Sequence, residues 1–142
     1  MNREEHWAFH IKKIFEILKK HSNTELSRYN LTVAQVIALM ELYDSPGQQM
    51  TMKEMEKVLE VAQSTTVGLV SRLEKKGFVE TFGDPDDRRI KHVRITSVGM
   101  EYCNKSEQYM YEGERLVLSP LNEEEQIVFC QLLEKICNHI KE

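Results

Sequence analysis

Between residues 51 and 95 the apolar spacing changes from a helical period to an alternating one, and a glycine marks the change. Thr51 followed by Glu54 is a capping box, the pattern that opens a helix by satisfying its first backbone donors. A short helix follows, with Met52, Met55, Val58 and Leu59 turned inward. Glu60 and Val61 make a tight connection. A second helix runs from Ser64 to Lys76, with Thr66, Leu69, Val70 and Leu73 at i, i+3, i+4 and i+7, an inward stripe. Gly77 stops it, because a helix end wants a left-handed residue. Past Gly77 the period is two. Val79 to Phe82 is a strand, residues 83–87 form a turn rich in Asp, Pro and Gly, and Lys91 to Ile95 is the returning strand, with Val93 and Ile95 on one face. Two short helices across a tight turn, followed by a hairpin with a charged tip, define a helix-turn-helix with a wing.

The flanks are helical. Trp7, Ile11, Ile14, Phe15 and Leu18 repeat at helical spacing and predict a first helix from Glu4 to His21. Asn23 and Asn30 flank a break. Thr32 with Gln35 is a capping box for a second helix, whose apolar residues are Val36, Ile37, Leu39, Met40 and Tyr43. Residues 44–47, Asp-Ser-Pro-Gly, end it. Thr96 caps a fifth helix carrying Tyr102, Tyr109, Met110, Leu116 and Val117, and Pro120 breaks it. Asn122 with Glu125 opens a last helix bearing Val128, Phe129, Leu132, Leu133, Ile136 and Ile140. The expected fold is mainly α with a small β-hairpin wing. At 142 residues it is one domain, 1–142, with a winged helix-turn-helix lobe over 32–95 and a helical region over 1–22 and 96–142. No stretch approaches the ~18 apolar residues of a membrane span, and the polar start has no apolar signal segment. A cytoplasmic protein with no membrane partner is expected.

Charge is uneven. The chain carries 19 Lys and Arg against 23 Asp and Glu, a formal −4. Residues 51–95 hold 9 bases against 8 acids, whereas residues 96–142 hold 4 against 9. A binding face and a separate acidic body follow from that split. The three cysteines, Cys103, Cys130 and Cys137, are odd in number and lack metal-ligand spacing. They read as reduced, partly buried thiols. There is no glycine-rich phosphate loop, nucleophile elbow or metal cluster with a base, so no catalytic residues, no cofactor and no enzyme are expected.

Three pieces, in this order, resemble the MarR family of bacterial transcriptional regulators. They are Leu31-Thr32-x-x-Gln35, then Leu73-Glu74-Lys75-Lys76-Gly77-Phe78-Val79, then Asp84-Pro85-Asp86-Asp87-Arg88-Arg89 with Val93-Arg94-Ile95-Thr96 and Gly99. The resemblance covers essentially the whole chain. It implies a triangular homodimer whose first and last two helices form the interface while two winged lobes grip double-stranded DNA. Physics agrees, since the first, fifth and sixth helices have more apolar surface than one small lobe can cover. A two-fold dimer would set its recognition helices about 34 Å apart, one turn of DNA, over an imperfect palindrome.

With the inward stripe assigned, the opposite face of the second short helix carries Ser64, Val67, Gly68, Ser71 and Lys75, with Arg72 at its edge and Gln63 and Thr65 at the exposed start. Gln63, Ser64, Thr65, Val67 and Gly68 are base-edge candidates. Glutamine suits adenine, and valine a thymine methyl. Gly68 stands where the family commonly has a polar or basic residue, and Ala62 where a Ser or Thr cap is usual. On the wing, Arg89 resembles the arginine that the family inserts into the minor groove. Asp87 would hold its guanidinium, and Arg88 and Lys91 would reach phosphates. Lys53, Lys57, Arg72, Lys75, Lys76 and Arg94 are further phosphate candidates, which position without reading sequence. Thr81-Phe82 stands where the family often has arginine.

Family members commonly respond to lipophilic anions, to oxidants through cysteine, or to metal. A small-molecule effector pocket would draw on Trp7, His10, Ile11, Phe15, Met40, Tyr43 and Tyr102, a set that equally suits a core. A redox route would use Cys103, semi-exposed after the wing. A metal route would use His6 and His10, i and i+4 on one helix face. The expected function is a sequence-specific, ligand-responsive repressor. The alternatives are a redox- or metal-responsive regulator, or a winged helix that binds protein and lacks specific DNA binding.

Overall fold

The structure, a computed structural model, describes residues 2–141, with no account of the side chains at 22–25 and 141. Its elements are α1 (Trp7–Leu26), α2 (Val33–Asp44), β1 (Gln49–Thr51), α3 (Met52–Leu59), α4 (Gln63–Lys75), β2 (Val79–Gly83), β3 (Lys91–Ile95), α5 (Ser97–Leu118) and α6 (Glu123–Lys141). Single 3-10 turns at Arg3–Glu5, Ser27–Tyr29 and Pro46–Gln48 complete the path.

The helix starts follow local hydrogen-bonding chemistry. At α2, Gln35 N donates to Thr32 Oγ1 (3.2 Å) and Thr32 N to Gln35 Oε1 (3.0 Å), a full reciprocal box. Asn122 and Glu125 do the same at α6, at 2.9 and 3.0 Å. At α3 the box is only half made. Glu54 N donates to Thr51 Oγ1, but the Glu54 carboxylate takes the Thr51 hydroxyl rather than its backbone N–H. Thr51 is also the last residue of a strand, opposite His92. The end of α4 is a Schellman motif. Gly77 N donates to Glu74 O and Phe78 N to Leu73 O, both at 3.0 Å, with Gly77 at φ +83°.

The sheet has three antiparallel strands in the order β1-β3-β2, where the sequence predicted a two-stranded hairpin. Strand β1 has one apolar residue, Met50, so it shows no period; its pairing with Val93 makes it a strand. The chain divides into two compact units, one of residues 25–107 and one formed by the segments before and after it. The core of the first unit is Ala38, Leu39 and Leu42 of α2, Met50 of β1, Met55 of α3, Leu69, Val70 and Leu73 of α4, and Phe78, Val79, Val93, Ile95, Tyr102 and Cys103. The predicted α4 stripe is buried in full, Thr66 included. Two expectations fail at the margins. Ile37 and Val58 are exposed, because α2 and α3 turn Ala38, Leu42 and Met55 to the core.

The second unit has no comparable core. Among its described residues only Gly113 is buried. Trp7 is 75 % exposed, Phe15 62 %, Leu132 54 % and Ile140 75 %. Among the described residues no helix is long and apolar enough to cross a membrane.

Candidate nucleic-acid interface

Burial of Thr66, Leu69, Val70 and Leu73 locks the rotation of α4 and leaves Gln63, Ser64, Thr65, Val67, Ser71 and Arg72 exposed. No side chain caps the first turn at Ala62. Those backbone donors and the positive end of the helix dipole therefore face outward, an arrangement that suits a phosphate. Gly68 is half-buried. A β-carbon there would stand 3.5 Å from Nη1 of Arg72, so the arginine lies back along its own helix.

The wing tip is an ordered turn. Asp84 N donates to Ile90 O (2.8 Å) and Ile90 N to Asp87 O (3.0 Å). Asp84 Oδ2 accepts from the backbone of Asp86 (3.0 Å) and Asp87 (3.1 Å). Asp87 in turn accepts from Nε (3.0 Å) and Nη2 (3.2 Å) of Arg89 and from its backbone N–H. The hydrogen bond from Arg89 holds the Asp87 carboxyl below its ordinary value. The bond from His92, then the backbone of Asp86, does the same for Asp84. Depressed carboxylates stabilise the turn above their unfolded pKa and release it as pH falls through the lowered value. The wing thus keeps its form at neutral pH and loosens only below the ordinary carboxylate range. The Arg89 side chain is 92 % exposed even with Nε and Nη2 on Asp87.

Helix and wing meet on one concave surface, a cavity of about 480 Å³. Gln63, Val67 and Ser71 of α4 line one wall, Lys53 and Glu56 of α3 another, and Arg89 and Lys91 the wing side. Glu74 joins the elements by accepting from Thr81 N and Thr81 Oγ1, each at 2.7 Å. Sequence reading missed Glu74; its only sign was a threonine where arginine is common.

The remaining bases divide. Lys53, Lys57, Lys75, Arg88 and Lys91 are exposed. Lys76 donates to Asn30 O (2.6 Å) and Gln35 Oε1 (3.2 Å), tying the end of α4 to the start of α2. Arg94 pairs with Glu80 at 2.6 Å and lies 4.8 Å over the Phe82 ring. Both are exposed as well, and these contacts lie within the lobe.

Two sensing expectations are corrected. Cys103 is fully buried, with Sγ 3.9 Å from Leu39 O, and burial pushes its thiol up to about 12. A thiol so placed is inert, because the thiolate is the reactive form. It packs there because α5 lays its first turns on α2. In native protein a thiol-reactive dye should modify at most Cys130 and Cys137, which are exposed; Cys103 should react only on unfolding. His6 lies before α1 in extended backbone, so His6 and His10 do not share a helix face. His10 Nε2 sits 2.8 Å from Glu4 O instead. Among the described residues no three His, Cys, Asp or Glu side chains group for a metal.

Of the effector candidates, Trp7, His10, Ile11 and Phe15 are exposed. Met40 packs partly on the core. The Tyr43 hydroxyl lies 2.8 Å from Asn104 Oδ1 and 3.1 Å from Glu107 Oε2, two acceptors for its one hydrogen. Tyr102 is a core residue, edge-on to Tyr29 and Phe78.

An exposed helix face set beside an arginine-tipped wing defines the winged helix-turn-helix class of DNA-binding proteins. The MarR family model matches residues 29–90. The HTH-type transcriptional regulator YsmB of Bacillus subtilis is 28% identical over 135 residues, covering 92% of this chain and 88% of its own. The transcriptional regulator Tm0710 of Thermotoga maritima superposes with a TM-score of 0.70 at 27% identity, over 92% of this chain and 91% of its own. A variant of Staphylococcus aureus MepR bound to an oligodeoxyribonucleotide gives 0.71 at 23%, over 95% and 98%. The chain thus carries a MarR-family segment over residues 29–90 and is similar along most of its length to HTH-type transcriptional regulators.

Proposed function

We propose that this chain is a homodimeric repressor that binds a pseudo-palindromic operator and is released by a small-molecule ligand. The observation that carries the reading is the single concave surface shared by Gln63, Val67 and Ser71 of α4 and by Arg89 of the wing. The α4 side chains would read base edges in the major groove, and Arg89 would enter the minor groove. Lys53, Lys91 and Arg88 would hold phosphates. Dimerisation is supported by α1 and α6, whose exposed Trp7, Phe15, Leu132 and Ile140 form more apolar surface than a soluble monomer usually carries. Ligand response is supported by S. aureus MepR, which has been solved bound to ethidium. Repression follows from a dimer occluding the polymerase.

The test is fluorescence anisotropy with the duplex upstream of the chain's own gene against a scrambled duplex, over a salt series. Preference for the native duplex with a steep log–log salt slope is expected. Absence of binding even at low salt would sink the reading and favour a protein partner. Sedimentation of the same sample should give twice the chain mass.

A further inference from the structure

We propose that His92 is a positioning residue for DNA binding, holding Asp84 so that the wing tip presents Arg89. The inference rests on the reading of Arg89 as a DNA contact. It starts from a chain of contacts that the sequence did not reveal. His92 Nε2 lies 2.8 Å from Asp84 Oδ1. An ionised carboxylate can only accept, so Nε2 carries the hydrogen. The other oxygen of Asp84 accepts from Asp86 and Asp87, which fixes the turn. Asp87, so placed, holds Arg89 with two side-chain bonds. One imidazole thus stands three links from the exposed guanidinium.

The imidazole is itself held. Phe82, its cross-strand partner on β2, stacks on it with ring centroids 5.2 Å apart and planes at 10°. Arg94, on β3 with His92, lies over Phe82 and pairs with Glu80. From β1 the cross-strand neighbour is Thr51, whose hydroxyl engages Glu54 of α3. Among these facing groups, Asp84 is the ionisable one in contact with the ring. His92 and Asp84 are both largely covered, at 18 % and 25 % side-chain exposure. Their bond is therefore better shielded than the fully wet Arg89 tip.

The experiment measures affinity for a duplex selected from a random-sequence pool. His92→Phe keeps the stack and removes the donor. His92→Gln keeps a donor. His92→Phe should weaken binding about fivefold, as loss of one hydrogen bond implies. His92→Gln should stay within about twofold of wild type, a rescue that a merely structural role for the ring would not give. In an Arg89→Ala background, His92→Phe should cause no further loss. Wild-type affinity of His92→Phe would overturn the proposal. So would a His92→Phe loss that persists in full without Arg89. If Arg89→Ala alone leaves affinity unchanged, the wing reading falls, and the proposal with it. Circular dichroism separates either result from misfolding, and His92→Gln serves if the phenylalanine variant does not fold.

Discussion

Gly99→Ala is expected to cost about 3 kcal/mol of stability, the upper range for overpacking a filled site. Gly99 stands in the first turn of α5, where its N–H donates to Thr96 Oγ1. A β-carbon there would collide with the Phe78 carbonyl oxygen and stand 2.6 Å from Ile95 Cγ1. Neither neighbour can yield cheaply. The oxygen is pinned by the Thr96 N–H at 3.0 Å, and Ile95 is a core residue. Alanine must therefore push α5 off the sheet at the base of the wing. For a chain of this size the melting temperature should drop by roughly 10 °C. Thermal unfolding followed by circular dichroism reads this directly. A drop of about 2 °C or less, under 1 kcal/mol by the same scaling, would mean that the junction between β2 and α5 is looser than the structure has it.

Arg89→Ala should weaken operator binding by about tenfold to a hundredfold, the range for losing a charged hydrogen-bonding contact. Fold stability should hardly change, because the side chain is 92 % exposed and its partner Asp87 is partly wet. The slope of log affinity against log salt should fall by about one. Arg89→Lys should recover the salt slope and only part of the affinity, since a lysine cannot fill two acceptor sites on Asp87 or present a planar fork to DNA. Equal affinity for wild type and Arg89→Ala in a duplex titration would remove the wing from the interface and leave α4 to carry it.

The wing also shows how far a sequence reaches. Asp87 followed two residues later by Arg89 is a local pattern, and the structure shows that ion pair. The pairing of Asp84 with His92 spans eight residues and depends on strand register, so no local pattern announced it. Strand β1 escaped for the same reason. One apolar residue carries no period, and only pairing with β3 makes Gln49–Thr51 a strand. Charge is all a sequence shows of Lys76 and Arg94. Their partners, Asn30 with Gln35 and Glu80, come from other elements.

Cys103 was misjudged for a related reason. A residue's depth depends on which helix lies over it, and α2 is some sixty positions away in the chain. By contrast, the stripe of α4, its Schellman end at Gly77, the caps at Thr32 and Asn122, and the strands on either side of the tip were legible from residues alone. Each is written in a pattern along its own element, a cap, a helix end or a periodic stripe, where the chain's own geometry brings the groups together. The sequence by itself therefore determined the helices of the lobe, the hairpin, their order and the exposed face of α4. Tertiary structure decided the third strand, the burial of Cys103, the ties that occupy Lys76 and Arg94, and the His92–Asp84 bond. Those contacts join residues that only the folded chain makes neighbours.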